Sequence, residues 1–266
     1  GIWMMGTDFT YERGCTALNN CSATDTAGDL VLSAEWSMDC LMNGVGVGFS
    51  THWRGIATAP DKKDTEVYVV PDSREGWVES LIKLMCAYID SPKYGKNKFP
   101  TFDYSVVRPA GVAIKGFGGT ASGPGPLRKM HERIESYLDA FCKGRLETTA
   151  RVHQPDEDGV WKEVDVKVSK AYSHTRLVAD IFNAIGACVV AGNVRRSAEI
   201  CLGGAKNEDF INLKNYKINP ERGEIGWMSN NSVVLEPAQG YKDFTYIPDL
   251  AARIRDNGEP GMINLY

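Results

Sequence analysis

The stretch DLVLSAEWSMDCLMNGVGVGF, residues 29–49, decides the fold class. From Asp29 to Asn43, Leu30, Ala34, Met38 and Leu41 recur at three- and four-residue intervals, which gathers apolar side chains on one face of a helix. Asn43-Gly44 supplies a C-cap, since both residues tolerate the left-handed backbone on which helices end. The period then drops to two: Val45, Val47 and Phe49 alternate with Gly44, Gly46 and Gly48. A helix feeding directly into a strand is half of an α/β unit. One face of that strand has no side chains, so either another piece of backbone or a ligand approaches it closely.

Working outward, Glu66–Val70 reads as a short strand. Asp72, with Glu75 three residues later, has the spacing of a capping box, opening a helix that presents Trp77, Leu81, Leu84 and Tyr88 and ends before Pro92. Residues 93–126 are rich in Gly, Pro and aromatics and read as one long irregular connection; long ordered loops are often functional. Leu127, Met130, Ile134, Leu138 and Phe141 mark an amphipathic helix closed by Gly144. Residues 149–170 are charged, with Asp158-Gly159 as a turn and Val164, Val166 and Val168 alternating after it, which predicts an exposed hairpin. Ser173 caps a helix with Leu177, Ile181 and Ile185 on one face, and Cys188-Val189-Val190 reads as a short buried strand. Strands near 198–202 and 227–235, helical stretches near 207–214 and 248–256, and a final strand after Asn257-Gly258-Glu259-Pro260-Gly261 complete the alternation. The class is α/β with a helical insertion near the middle, and no sequence repeat is evident.

Composition narrows the function. The 266 residues are 43% hydrophobic, enough for a packed core, and no apolar run reaches the length of a membrane span. Thirty basic residues stand against 34 acidic ones, so the cationic excess that neutralises nucleic-acid phosphates is missing. The chain begins at Gly1 without a signal peptide and stops in an apolar run at Tyr266, which reads as part of a longer protein. Seven widely spaced cysteines, an odd number, argue for a reducing cytoplasm, and no C-x-x-C or paired-His spacing suggests zinc.

No single motif settles the chemistry. Gly44-Val45-Gly46-Val47-Gly48 fails as a dinucleotide fingerprint: its third glycine comes one residue early and a helix precedes it. Gly118 and Gly123 have phosphate-loop spacing, but Pro124 stands where lysine is required. Gly192-Asn193-Val194-Arg195-Arg196-Ser197 is a glycine turn with two guanidiniums, fit either for phosphate or base recognition or simply for solvent. Cys21 has polar neighbours, which leaves both a buried-hydrophobe role and a redox role open. Glu35, Glu199 and Glu259 are isolated carboxylates.

Taken together, the segments are more specific. Trp3-Met4-Met5-Gly6-Thr7, Leu18-Asn19-Asn20-Cys21, Ser33 to Phe49, Pro71 to Trp77, Phe117 to Pro124, Gly192 to Ile200, Met228-Ser229-Asn230-Asn231-Ser232 and Asn257 to Gly261 follow one another in an order that closely resembles the adenosylcobalamin-dependent (class II) ribonucleotide reductases, especially the monomeric triphosphate-reducing type. The resemblance implies an α/β barrel of two parallel half-barrels, of which this chain supplies the first: residues 1–50 start it, 51–175 form an insertion that imitates a partner subunit and builds the effector region, and 176–266 continue it. It implies reduction of ribonucleoside triphosphates at C2′ by thiyl-radical chemistry, with adenosylcobalamin as radical source, a thioredoxin-like reductant and a deoxynucleoside triphosphate effector, in a cytoplasmic monomer that binds neither membrane nor nucleic acid directly. Cys21 matches the first of two cysteines that reduce the substrate and become a disulfide. By the same resemblance, Asn20 and the backbone at Asn43 and Gly44 would line the substrate, and Gly192, Asn193, Val194, Arg195, Arg196 and Ser197 would form the specificity loop that senses the effector. The radical cysteine lies beyond Tyr266 in the family, so this chain alone is expected not to turn over. The other readings are a non-catalytic nucleotide-binding remnant and a reductase using a di-metal radical subunit.

Overall fold

The computed structural model describes residues 6–13, 16–114, 119–191, 197–235 and 245–264. In chain order the elements are α1 (Asp8–Arg13), β1 (Cys21–Thr24), α2 (Leu30–Met42), β2 (Gly46–Ser50), β3 (Thr65–Val69), α3 (Arg74–Tyr88), β4 (Phe99–Asp103), α4 (Gly125–Cys142), β5 (Arg145–Pro155), β6 (Trp161–Ala171), α5 (His174–Val190), β7 (Glu199–Gly204), α6 (Glu208–Ile211), β8 (Ser229–Leu235), α7 (Ile247–Asn257) and β9 (Gly261–Asn264).

Five strands form one parallel sheet in the order β1-β2-β7-β8-β9. Alternation along each strand gives the sheet two unlike faces. The rows Val47–Glu199–Ser229 and Phe49–Cys201–Asn231 are buried under helices. Between them, the row Ala23–Gly48–Ile200–Asn230 lies on the other face, where Ala23, Ile200 and Asn230 are exposed. Cys21, paired with Gly46, belongs to this open face as well.

The covered face is apolar because α2 and α5 are. Leu30, Ala34, Met38 and Leu41 of α2 and Leu177, Ile181 and Ile185 of α5 are fully buried, as the periodicity predicts. Phe49 of β2 stacks on Phe182 of α5 with ring centroids 4.1 Å apart. Asp29 caps α2 by accepting from the N–H groups of Val31 and Leu32, and Ser173 caps α5 by accepting from Arg176 N.

Between β2 and β7 the chain makes a long excursion. β3, α3 and β4 repeat the strand–helix–strand order of β1, α2 and β2, with β3 and β4 again parallel. α3 packs on α2, α4 on α5, and α3 on α4, so four helices share one core. β5 and β6 form the expected hairpin as a long antiparallel ribbon from Arg145↔Ala171 to Pro155↔Trp161.

Five local readings need correction. Ser73, not Asp72, caps α3, accepting from Gly76 N at 3.0 Å; Asp72 is drawn off by Arg108. Cys188-Val189-Val190 is the last turn of α5 rather than a strand, because the apolar face of that helix simply continues to its end. Only one turn, α6, forms within 207–214, and Trp227 lies in a 3-10 turn ahead of β8. The strand β4 lies inside the connection that reads as irregular, because Pro100 argues against a strand; the two-stranded sheet has free edges that tolerate it.

Candidate functional site

Cys21 opens β1 with its side chain exposed. The N–H of Gly46 donates to the Asn20 carbonyl at 2.8 Å, and that of Val47 to Ala198 O at 2.9 Å, so β2 enters the sheet between the segments leading into β1 and β7. A Cβ on Gly46 would lie 3.6 Å from Cys21 Sγ and 3.5 Å from Asn20 O; one on Gly48 would lie 3.3 Å from Ala23 Cβ. Part of the bare face is therefore explained by β1, and what remains is a floor without side chains beside an exposed thiol.

The neighbouring turn completes this end of the sheet. Asn43 ends α2 with its side-chain amide turned back, donating to Asp39 O at 2.8 Å, while its backbone N–H caps the last carbonyls of the helix. Gly44 has φ +84°, a conformation that favours glycine. Ser197 is buried and donates to Leu41 O at 2.6 Å, tying the entry to β7 to the end of α2. Asn20, Cys21, Asn43, Gly44 and Ser197 thus gather at the N-terminal ends of β1, β2 and β7. Gly192, Asn193, Val194, Arg195 and Arg196 lie outside the described residues.

Beneath this end runs a buried polar chain that sequence reasoning missed. Asn183 Nδ2 donates to Glu199 Oε2 (3.1 Å) and to Ser229 Oγ (2.9 Å), and Ser229 donates to Asn231 Oδ1 (2.9 Å). Asn231 N donates to Glu259, which also pairs with Lys214 at 2.8 Å. Arg222 joins from the other side, donating to Asn183 Oδ1 (2.8 Å), Asp180 (2.7 Å) and Leu213 O (2.7 Å). Burial pushes the Glu199 carboxyl well above the usual range, and its Oε1 is unpartnered against Gly186. The three carboxylates read as isolated do find partners: Glu35 bonds Tyr94 and Lys93, Glu199 bonds Asn183, and Glu259 bonds Lys214.

A separate cleft opens where α2, α3 and α5 converge. Met42, Ser73, Arg74, Trp77, Arg108 and Val189 are among its walls. Arg108 Nε donates to Asp72 at 2.7 Å, and Arg74 reaches Asp39 at 3.2 Å and Glu75 at 2.8 Å. Two guanidiniums beside the N-terminus of a 15-residue helix suit phosphate groups, and a carboxylate suits sugar hydroxyls. The cleft's α5 wall, Cys188 and Val189, directly precedes residues 192–196. Two further clefts flank the β5–β6 ribbon and are lined mainly by charged side chains. None of the three lies on the open face beside Cys21. Among the described residues no cluster of His, Cys, Asp or Glu would hold a metal ion, and no helix is long and apolar enough to cross a membrane.

Residues 45–138 match the family described as the insertion domain of B12-dependent ribonucleotide reductase. The adenosylcobalamin-dependent ribonucleoside-triphosphate reductase of Euglena gracilis is 39% identical over 268 residues, covering 98% of this chain and 32% of that protein. The protein of the same name from Lactobacillus leichmannii is 32% identical over 318 residues, covering 99% of this chain and 38% of its own length. A crystal structure of a B12-dependent (class II) ribonucleotide reductase superposes with a TM-score of 0.70 at 27% identity, over 99% of this chain and 39% of the other. The chain thus spans about a third of the length of the curated relatives it matches.

Proposed function

The chain belongs with the adenosylcobalamin-dependent (class II) ribonucleotide reductases, and from that premise we propose that it supplies the substrate-facing half-sheet and the effector pocket of a ribonucleoside-triphosphate reductase. The observation that carries the proposal is the meeting of an exposed Cys21 with the side-chain-free floor at Gly46 and Gly48, at the strand ends where Asn20, Asn43 and Gly44 also lie. A ribose can lie flat on such a floor with the thiol at its edge. Cys21 would act as one thiol of a pair: as the 2′ hydroxyl leaves as water, the pair gives up two electrons and two hydrogens and closes to a disulfide. A thioredoxin-like reductant reopens it by thiol–disulfide exchange. The relatives are named as adenosylcobalamin-dependent, and that cofactor, when bound, would supply the radical; in this chain the described residues would orient the substrate and present the thiol.

For the effector, the cleft of Asp72, Arg74 and Arg108 has the chemistry for a deoxynucleoside triphosphate, and the loop Gly192–Ser197 is the element through which its occupancy would reach the substrate. The division into 1–50, 51–175 and 176–266 fits this assignment of roles: the excursion holding the cleft's α3 wall lies between β2 and β7, and the sheet on either side.

The test uses the complete reductase. Cys21→Ser is expected to abolish multiple turnover with thioredoxin while the protein still binds nucleotide in equilibrium dialysis. Turnover at the wild-type rate would remove Cys21 from the chemistry.

A further inference from the structure

We propose that His131 is the positioning residue of the effector cleft, holding its two walls, Trp77 of α3 and the Val107-Arg108 segment, at a fixed separation through a buried hydrogen-bond relay. The inference rests on reading that cleft as the effector pocket.

The relay's direction follows from its last acceptor. Ser80 Oγ lies 2.6 Å from the carbonyl of Trp77, which can only accept, so the Ser80 hydrogen points there. The Ser80 oxygen must then accept from His131 Nε2, 2.9 Å away. A neutral imidazole protonated on Nε2 has a bare Nδ1, which accepts from the Tyr104 hydroxyl at 2.8 Å. Every donor and acceptor from Tyr104 to Trp77 is paired, and one tautomer satisfies them all. Burial reinforces the choice by pushing the imidazole down to about 3, so it stays neutral.

Packing fixes the same geometry. His131 is 3% exposed and stacks on Phe102 of β4 with centroids 4.1 Å apart. The Arg128 guanidinium lies over the Tyr104 ring at 5.0 Å. Tyr104 starts the turn that carries the cleft wall, since Val107 N donates to Tyr104 O at 3.0 Å, and Arg108 follows immediately. At the other end Trp77, whose carbonyl terminates the relay, lines the cleft itself. His131 therefore joins three elements, α3, α4 and the segment after β4, yet its own side chain does not line the cleft. Its effect on a ligand must pass through Arg108 and Trp77.

Mild variants test this, because truncating His131 itself risks the fold. In the complete reductase, deoxynucleoside triphosphate binding is measured by calorimetry for the wild type, Tyr104→Phe, Ser80→Ala and Asp72→Ala, with substrate KM in the absence of effector as the companion measurement. The expected result is that Tyr104→Phe and Ser80→Ala each weaken effector binding about tenfold, as for a lost hydrogen bond that leaves a buried partner unpaired. Substrate KM without effector stays unchanged, and the Trp77 contribution to the fluorescence change on effector binding shrinks with the affinity. Effector affinity within twofold of wild type in both relay variants, beside a weakened Asp72→Ala, overturns the positioning role while the cleft stands. An unaffected Asp72→Ala removes the cleft as effector site, and the inference falls with it.

Discussion

Glu199 and His131 are both buried, which raises the one and lowers the other, and they load stability onto opposite sides of the pH scale. Glu199 has its carboxyl raised by burial, so above pH ~4.5 the unfolded chain releases a proton that the folded chain keeps, and stability falls as pH rises toward the folded pKa. His131 is pushed down to about 3, so below pH ~6.5 the unfolded chain takes up a proton that the folded chain refuses, and stability falls as pH drops toward 3. A glutamine at 199 keeps the shape and an acceptor for Asn183 without a titrating proton. Glu199→Gln should match the wild type at pH 5 and exceed it at pH 8 in urea denaturation; a wild-type advantage that grows with pH would mean that the carboxyl is ionised in the folded state. Neither residue's setting could be read from the sequence. Glu199 is one carboxylate in an alternating strand, and the relay's members, at 77, 80, 104 and 131, have no spacing that marks them as neighbours.

Elements are legible in the sequence where one local signal suffices. The α2 face repeats at helical intervals with Asp29 as an oxygen-bearing cap, and the α4 helix ends at Gly144 with φ +66°, so both stand out. The end of α5 does not, since a Cys-Val-Val triplet is apolar, with two β-branched residues, whether it closes a helix or fills a strand. β4 depends on β3, more than 30 residues away, for its pairing, which no local pattern reveals. The β5–β6 ribbon is legible as a hairpin, and it also carries an element-scale prediction. Val168 and Ala150 are buried near its root, whereas Trp161 and Val160 at its far end are 68% and 55% exposed. Side-chain pairs in the outer half, such as Arg151–Asp165 at 3.4 Å, are exposed ion pairs that add little. Replacing residues 152–164 by Asn-Gly, a two-residue hairpin turn, should leave the melting temperature within about 3 °C of wild type. A larger drop in calorimetry would show that the outer ribbon packs on something beyond its own strands.

At the scale of the molecule, sheet and excursion are held together by α5, and the charges around it decide how firmly. Arg222, from the β7–β8 connection, is 1% exposed and reaches Asp180 of α5 at 2.7 Å. Asp180 also accepts from Tyr172 at 2.8 Å and from Arg176 at 3.3 Å, and Arg176 pairs with Glu221 at 2.9 Å. Lys170 of β6 reaches Glu221 at 3.3 Å, so one cluster spans the ribbon, α5 and the β7–β8 connection. Its cations hold the Asp180 carboxyl below the usual range against the cost of burial. Arg222→Ala would take from that carboxylate its shorter cation contact, leaving Arg176 and Tyr172, and would leave Leu213 O and Asn183 Oδ1 without their donor, at a cost of about 3–5 kcal/mol. Because the cluster touches both halves, the loss should appear as one cooperative transition moved to lower urea rather than as two separated steps. Two resolved transitions in Arg222→Ala would instead mean that the sheet and the excursion fold independently, with α5 belonging to only one of them.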